Sequence, residues 1–317
     1  MNSGRVVVIG GCTASGKTAL GIAAALAVGG EIVSADSMQI YKGMDIGTAK
    51  ASAEEQKAVR HHMIDVAEPG ENYSVARYVK EASKCCDRLL SEGIVPVIVG
   101  GTGLYIDSLL AGREFGEQEE NEALRKRLYD DYEKEGGEKL LERLRSFDPE
   151  RAARLHPADR KRIVRAMEVY YLSGETITEH DRKTREVPPR YEAVFLIPGF
   201  HDRALLYARI DRRVEEMVQH GLFEEVKKLL DDGISPEATA MQAIGYKEAV
   251  DVVRGEASEE EAVARIQMAS RRYAKRQMTW FSRRKEAVRL YHDDPGGTEK
   301  MTVEAIRQVK EYIDDNC

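Results

Sequence analysis

The segment Gly11-Cys12-Thr13-Ala14-Ser15-Gly16-Lys17-Thr18 constrains this chain more than any other. It follows the apolar run Val6-Val7-Val8-Ile9 and opens into Ala19-Leu20-Gly21-Ile22-Ala23-Ala24-Ala25-Leu26, a helix-like stretch. Strand, glycine loop and helix at the spacing G-x-x-x-x-G-K-[ST] predict a phosphate-binding P-loop. The glycines let backbone N–H groups converge on an anion, and the helix N-terminus adds partial positive charge. Lys17 can then reach terminal phosphates, and the Thr18 hydroxyl can ligate Mg²⁺. The expected cradle is Gly11, Thr13, Ala14, Ser15, Gly16, Lys17 and Thr18. Which phosphate compound it holds is not written in the motif.

A chain of 317 residues is long enough for one large domain or two smaller ones. No apolar run approaches the ~20 residues that span a bilayer, and the first residues do not read as a signal peptide. Cys12, Cys85, Cys86 and Cys317 form no C-x-x-C pair or His-coupled cluster. Structural zinc is therefore not expected, and a reducing cytoplasm is the simplest home. A net charge of −7 argues against a nucleic-acid partner until its distribution is read. Six basic residues face one acid between Arg151 and Arg165, and eight face one between Arg271 and Arg289. Glu114, Glu117, Glu119, Glu120 and Glu122 crowd one stretch without a basic residue. Charge segregated in this way can bind a polyanion locally, or can be a set of solvated helix faces.

Further apolar runs read as buried strands: 31–34, 94–99, 193–197 and 287–290. Helical stretches alternate with them, which predicts an α/β fold, a P-loop NTPase-like parallel sheet with helices on both faces. Between the third and fourth strands only helix-like sequence occurs, over 120–135, 138–145 and 159–172. Residues 117–190 are thus expected to be an all-helical insertion ending at Pro188-Pro189, between core segments 1–116 and 191–317. Ser258-Glu259-Glu260-Glu261 is a capping box that starts a helix running to about Arg276. On it Arg265, Arg272 and Arg276 share one face, and Ile266, Ala269 and Tyr273 form an apolar stripe on another.

In an open parallel sheet, ligands bind at the carboxyl ends of the strands. Two further segments fall there, Ser34-Ala35-Asp36-Ser37-Met38-Gln39-Ile40-Tyr41 and Gly100-Gly101-Thr102-Gly103-Leu104-Tyr105. Asp36 is a carboxylate at the phosphate end of the site, able to hold Mg²⁺ through water, to act as a general base, or simply to cap a helix or pair with Lys17. P-loop ATPases usually carry a Mg²⁺-holding Asp after an apolar strand. Here Ile94–Val99 leads into Gly-Gly-Thr-Gly, so catalysed ATP hydrolysis is disfavoured and Thr102 offers a hydroxyl instead. A small-molecule kinase with Asp36 as base remains open at this point.

GCTASGKT, SADSMQIY and VGGTGLY, followed by Arg209-Ile210-Asp211-Arg212-Arg213, together resemble the tRNA dimethylallyltransferases, also called tRNA isopentenyltransferases. The resemblance continues through 156–169, Gln242-Ala243-Ile244-Gly245-Tyr246-Lys247 and 271–281, and so covers most of the chain in order. It implies that dimethylallyl diphosphate gives its prenyl group to the exocyclic amine of an adenosine beside the tRNA anticodon, releasing pyrophosphate. By that resemblance, Lys17, Mg²⁺ on Thr18, and Arg213 or Arg209 steady the leaving diphosphate. Asp36 takes the proton of the amine, and Thr102 helps position the reacting groups. Ser37, Met38, Gln39 and Tyr41 meet the extruded base, with Gln242, Gly245, Tyr246 and Lys247 also on the tRNA side. Lys161, Arg162, Arg165, Arg272 and Arg276 grip the RNA backbone, and the enzyme is expected to work as a monomer.

Two departures stand out. Members of the family often have Pro where Cys12 stands, and nothing after Trp280 has the metal-ligand spacing of the zinc finger that eukaryotic members carry. The chain looks like a bacterial-type member. A related family, the adenylate isopentenyltransferases, acts on free nucleotides, but the helical insertion and its basic run argue for tRNA. A P-loop kinase explains the first two motifs and leaves the insertion and the basic segments unexplained.

Overall fold

A computed structural model describes residues 4–113 and 121–314. The acids Glu114, Glu117, Glu119 and Glu120, the expected 116/117 boundary and Cys317 lie outside the described residues. The chain divides into two units, one formed by Met1–Gly112 with Arg190–Cys317 and the other by Arg113–Pro189.

The first unit begins with β1 (Gly4–Gly10), whose Val6, Val7, Val8 and Ile9 are all fully buried, as a strand covered on both faces requires. There follow α1 (Lys17–Val28), β2 (Glu31–Ser34), α2 (Ala53–Ala58), β3 (His61–His62), α3 (Val75–Ser91), β4 (Pro96–Gly100) and α4 (Gly103–Leu110). In the second unit lie α5 (Glu122–Glu135), α6 (Gly137–Arg145), α7 (Pro149–Ala152), α8 (Arg160–Ser173) and α9 (Ile177–Glu186). The chain then returns to the first unit with β5 (Tyr191–Gly199), α10 (Arg203–Gln219), α11 (Leu222–Asp231), α12 (Tyr246–Val253), α13 (Glu259–Phe281), β6 (Val288–Tyr291) and α14 (Gly297–Asp314).

The six strands form one parallel sheet in the order β3-β2-β4-β1-β5-β6. Each of the five apolar runs read from the sequence supplies a strand. The sixth, β3, is only two residues pairing with Ile32 and Val33, too short to leave a period in the sequence. α1 and α14 cover one face, where Leu20, Ala24, Met301, Ala305 and Val309 close over Val7, Ile9, Val97 and Leu196. Across the sheet α3 and α4 bury Tyr78, Leu89, Ile106 and Leu109. Full burial of such a side chain stabilises by about 1.5–3 kcal/mol, so these two layers fix the strand ends from which the loops leave. β1 lies between β4 and β5, so the P-loop leaves the sheet at a point where the strand order switches direction.

The second unit buries its own core, with Leu128, Leu140, Leu144, Ile163 and Met167 nearly or fully excluded from solvent. Glu168 is 1% exposed and pairs with both Arg125 and Arg165, which offsets the cost of burying a carboxylate. In the first unit, the Ser258 capping box starts α13 as its spacing predicts, and the helix continues past Arg276 to Phe281.

Candidate functional site

The loop from β1 to α1 is shaped by two backbone needs. Gly16, the residue before the helix, has φ +82, a conformation that other residues adopt at a cost. The Ser15 hydroxyl donates to the Cys12 carbonyl at 2.8 Å, which closes the loop on itself. Three cations surround it. Lys17 Nζ donates to the Cys12 carbonyl at 2.6 Å, Arg209 Nε to the Ala14 carbonyl at 3.1 Å, and Arg213 Nη1 to the Thr13 hydroxyl at 3.4 Å. Among the described residues no carboxylate pairs with any of the three. Burial is the main reason that the Lys17 ammonium is lowered to about 8, with Cys12 and Asp36 opposing and Arg213 adding to the shift. Burial also lowers Arg213, against the field of Asp36. Arg209 is exposed at the rim, whereas Arg213 is recessed.

Asp36 stands just beyond β2, with Oδ1 accepting the Met38 N–H at 2.9 Å. That bond holds the loop in a turn through one carboxylate oxygen. The expected alternative pairing with Lys17 is not formed, because the ammonium folds back onto Cys12. Asp36 nevertheless acts through its field on Lys17, Arg213 and Tyr273, and Glu216 adds to its effect on Arg213. Thr102, just past β4, accepts the Ser37 N–H at 3.0 Å, and its own N–H donates to the Ala35 carbonyl at 3.1 Å. The second and third loops are therefore tied together.

The glycines of the third loop are there for close approach. A Cβ on Gly100 would lie 2.1 Å from the Ala35 carbonyl oxygen, and one on Gly103 would lie 2.3 Å from the Trp280 ring. These loops enclose a cleft of about 780 Å³ with Thr18, Met38, Gln242 and Arg276 also in its lining.

Other expected residues fall elsewhere. Tyr41 is 1% exposed and donates to the Glu71 carbonyl, so it does not face the cleft. Tyr246 is fully buried, its hydroxyl donating to Glu225 at 2.5 Å. Both rings serve the core, Tyr41 instead of the extruded base and Tyr246 instead of the tRNA side. Gly245 is the buried residue ahead of α12, and Lys247 is exposed near Glu248. Gln39 lines the cleft, but its amide donates to the Thr48 and Ala49 carbonyls and so braces the next loop. The alternative of an Arg213–Glu216 ion pair is replaced by Arg212, which pairs with Glu216 at 2.9 Å on the surface.

Of the dispersed cations, Lys161, Arg162 and Arg165 are exposed on α8, with Arg162 held by Asp159 and Arg165 by Glu168. On α13, Arg272 is exposed and Arg276 lies over the Tyr273 ring at 5.5 Å. Arg265, expected on the same face, pairs with Asp251.

Two residues of the cleft, and a third that braces the P-loop beside it, were not singled out as site residues by the sequence. Tyr273, read as part of an apolar stripe, lines the cleft beside Thr102, and burial pushes its hydroxyl up to about 12. Gln277 joins Thr13 to Gly101 through its side-chain amide. His292, beyond β6, stacks on Phe200 and bonds the Ser15 carbonyl at 2.8 Å through Nε2. No local motif marks them; only the capping box of α13 hinted that its helix was built with care.

The chain matches the family model described as IPP transferase over residues 39–285. It is 44% identical over 309 residues to a tRNA dimethylallyltransferase of Acetivibrio thermocellus, covering 98% of this chain and 97% of the relative. Its structure is similar to a tRNA delta(2)-isopentenylpyrophosphate transferase from Staphylococcus epidermidis, with a TM-score of 0.70, 40% identity, and coverage of 97% and 99% of the two chains. A eukaryotic dimethylallyltransferase acting on tRNA is similar at a TM-score of 0.80 and 26% identity, covering 99% of this chain and 81% of that one. A match over most of the length, on a sheet whose strand ends present the P-loop and Asp36 in one cleft with Thr102 bonded to Ser37 beside it, admits one conclusion: the chain belongs to the IPP transferase family.

Proposed function

We propose that this protein is a tRNA dimethylallyltransferase: it moves a dimethylallyl group from dimethylallyl diphosphate to the N6 amine of the adenosine beside the anticodon of tRNA, releasing pyrophosphate. The observation that carries this reading is the division of charge in the cleft. Three cations without carboxylate partners surround the P-loop; of the three carboxylates lining the cleft, Glu216 pairs with Arg212 and Glu55 caps α2, which leaves Asp36 to face them. A diphosphate that must leave with a full negative charge is served by the first group, and an amine that must lose a proton by the second.

In the reaction the N6–C1 bond forms as the C1–O bond breaks, and the electron pair departs with pyrophosphate. Lys17, Arg213 and, from the rim, Arg209 hold the diphosphate oxygens and stabilise the developing charge. Asp36 accepts the proton that N6 gives up. Thr102, anchored between Ser37 and Ala35, orients the amine. The base enters after leaving its stack, and Met38 and Gln242 meet it at the cleft wall.

Mg²⁺ fits as a companion of the diphosphate. Among the described residues no three His, Cys, Asp or Glu side chains converge to hold a metal, while Thr18 presents a hydroxyl on the first turn of α1 at the cleft. Mg²⁺ keeps several waters and takes one or two protein ligands beside phosphate oxygens, which this donor set allows. Bound there, it would add positive charge to the leaving group.

The exposed cations of the helical unit and of α13 bind the RNA backbone in this reading, and the protein works as a monomer. The unpaired thiols Cys12, Cys85 and Cys86 suit a reducing cytoplasm. Among the described residues no helix is long and apolar enough to cross a membrane.

The test is direct. Purified protein is incubated with labelled dimethylallyl diphosphate and an unmodified tRNA, and label entering RNA is counted. Label incorporated at N6 of the expected adenosine supports the reading. Transfer to free adenine nucleotides alone, or phosphoryl transfer from ATP to a small molecule, would overturn it.

A further inference from the structure

We propose that Gln277 is a positioning residue for the transfer, a buried amide that sets the separation between the phosphate cradle and the loop carrying Thr102; this rests on the function proposed above. β1 and β4 are adjacent, and the last pair in their register is Gly10 with Gly100. Beyond it the ladder ends just where the two chemical halves of the cleft begin. Gln277 spans this gap. Its Oε1 accepts the Thr13 N–H at 2.9 Å, and its Nε2 donates to the Gly101 carbonyl at 3.0 Å.

The polarity of the bridge is fixed at both ends. A backbone N–H can only donate and a carbonyl can only accept, so the amide has one productive orientation. At 5% exposure the side chain leaves little room for water to take its place. The approach is close as well, since a Cβ at Gly101 would lie 2.3 Å from Nε2.

The helix that carries the amide is itself held. Trp280, three residues on, donates Nε1 to Asp107 of α4 at 2.9 Å, and Arg284 pairs with the same carboxylate at 2.5 Å. Tyr273, one turn earlier, places its hydroxyl by the side chains of Thr102 and Gln277. α13 thus touches both loops at fixed points, and neither loop is set by the other alone.

For an in-line displacement this separation matters more than affinity. Misplacing reacting atoms by about 1 Å can cost on the order of 10²-fold in rate. The groups that bind the diphosphate remain when Gln277 is changed. Loss of the bridge should therefore lower kcat by about 10- to 100-fold while KM for dimethylallyl diphosphate and Kd for tRNA move less than about threefold.

The experiment compares wild type, Q277L and Q277E as full chains, with melting temperature, kcat, KM and tRNA Kd measured from pH 6 to 8.5. Q277L removes both bonds and should show the loss of kcat at every pH. In Q277E a protonated carboxyl accepts from Thr13 and donates to Gly101, as the amide does, whereas the ionised form faces the Gly101 carbonyl without a proton. Its kcat relative to wild type should then rise as pH falls, a recovery that a merely structural residue would not give. Lys17, Arg213 and Tyr273 also line the cleft, and their share of the pH profile is read from Q277L, which adds no charge, so that the Q277E ratio is judged against it.

Q277L within threefold of the wild-type kcat, or a Q277E ratio flat across the range, overturns the inference. So does failure of both variants to fold, which would make the residue structural only. Wild-type protein that transfers no prenyl group fails on the functional reading itself, whereas active wild type beside indifferent variants fails only on Gln277.

Discussion

Raising the pH from 7 to 9 should weaken binding of a diphosphate by about tenfold, because the cradle holds its lysine at the edge of neutrality. Burial takes water from Lys17 Nζ; Cys12 and Asp36 counter this, Arg213 adds to it, and the balance leaves a pKa of about 8. At that value about nine-tenths of the empty protein carries the charge at pH 7 and about one-tenth at pH 9. A bound diphosphate favours the ammonium and so raises its pKa, which means that binding above pH 8 must take up a proton. The gain in affinity is complete below pH 8 and is lost as the pH rises through it, by a factor of about ten or about 1.4 kcal/mol at pH 9. Calorimetry with a non-reactive diphosphate analogue, in EDTA and in two buffers of different ionisation enthalpy, reads affinity and proton uptake together. Uptake should approach about one proton per site at pH 9. Tyr273, pushed up to about 12, and Cys12, also raised by burial, titrate above this range. K17R supplies the control, since a guanidinium stays charged throughout and its affinity, whatever its level, should not vary with pH. Flat affinity in the wild type, or an equal slope in K17R, would refute the link between burial, charge and binding.

Other outcomes follow from single contacts. D36N keeps the turn at Met38 but removes the proton acceptor, so single-turnover transfer should slow by about 10²–10⁴-fold with little change in tRNA affinity; an unchanged rate contradicts the base role. R213A should weaken binding of dimethylallyl diphosphate by tenfold or more, since a hydrogen bond to a charged group contributes about 1.5–3 kcal/mol. R212A should bind as wild type, because Arg212 is 80% exposed and engaged by Glu216; equal losses in the two would show that neither contact is specific. In salt titrations of fluorescent tRNA, R272A and R276A should each lower the slope of log affinity against log salt by up to about one. R165A should change it less, as Arg165 already faces the buried Glu168, and identical slopes in all three would assign these cations to ordinary solvated faces.

The parts of the fold that were legible in the sequence are those in which neighbours along the chain do the work. Buried strands of a parallel sheet need continuous apolar runs, and the loops at their ends inherit their place from them, which is why the P-loop, Asp36 and Thr102 could be brought to one end of the sheet before any coordinates. β3 was not legible because two residues carry no period. Tyr41 and Tyr246 misled for a related reason. Both adjoin segments that form the site, and adjacency to a loop says nothing about which way a ring turns; a ring that is apolar except for one hydroxyl is well placed in a core when Glu71 or Glu225 takes that hydroxyl. Gln277, Tyr273 and His292 were hidden because each acts through contacts far away in sequence. Gln277 meets Thr13 264 residues away, and no local pattern encodes such a pairing.

The distribution of charge explains why the cleft is built at a cost to the empty protein. Lys17 and Arg213 are both held below their ordinary values by burial; Asp36 and, for Arg213, Glu216 oppose the shift through space, but among the described residues neither cation forms an ion pair. A cleft selected for stability alone would place Asp36 against one of them, as Glu216 is placed against Arg212 outside. Instead the Lys17 ammonium rests on the Cys12 carbonyl and Arg213 on the Thr13 hydroxyl, partners that satisfy donors without neutralising charge. Asp36 is kept free of both, close enough to be felt and not close enough to pair. In the proposed reaction a second anion between them would complete the balance; as it left as pyrophosphate the cations would follow its growing charge, with Asp36 available for the proton of the amine. In that proposal, separation of the carboxylate from the cations is what would let one cleft stabilise a leaving anion and accept a proton in the same step.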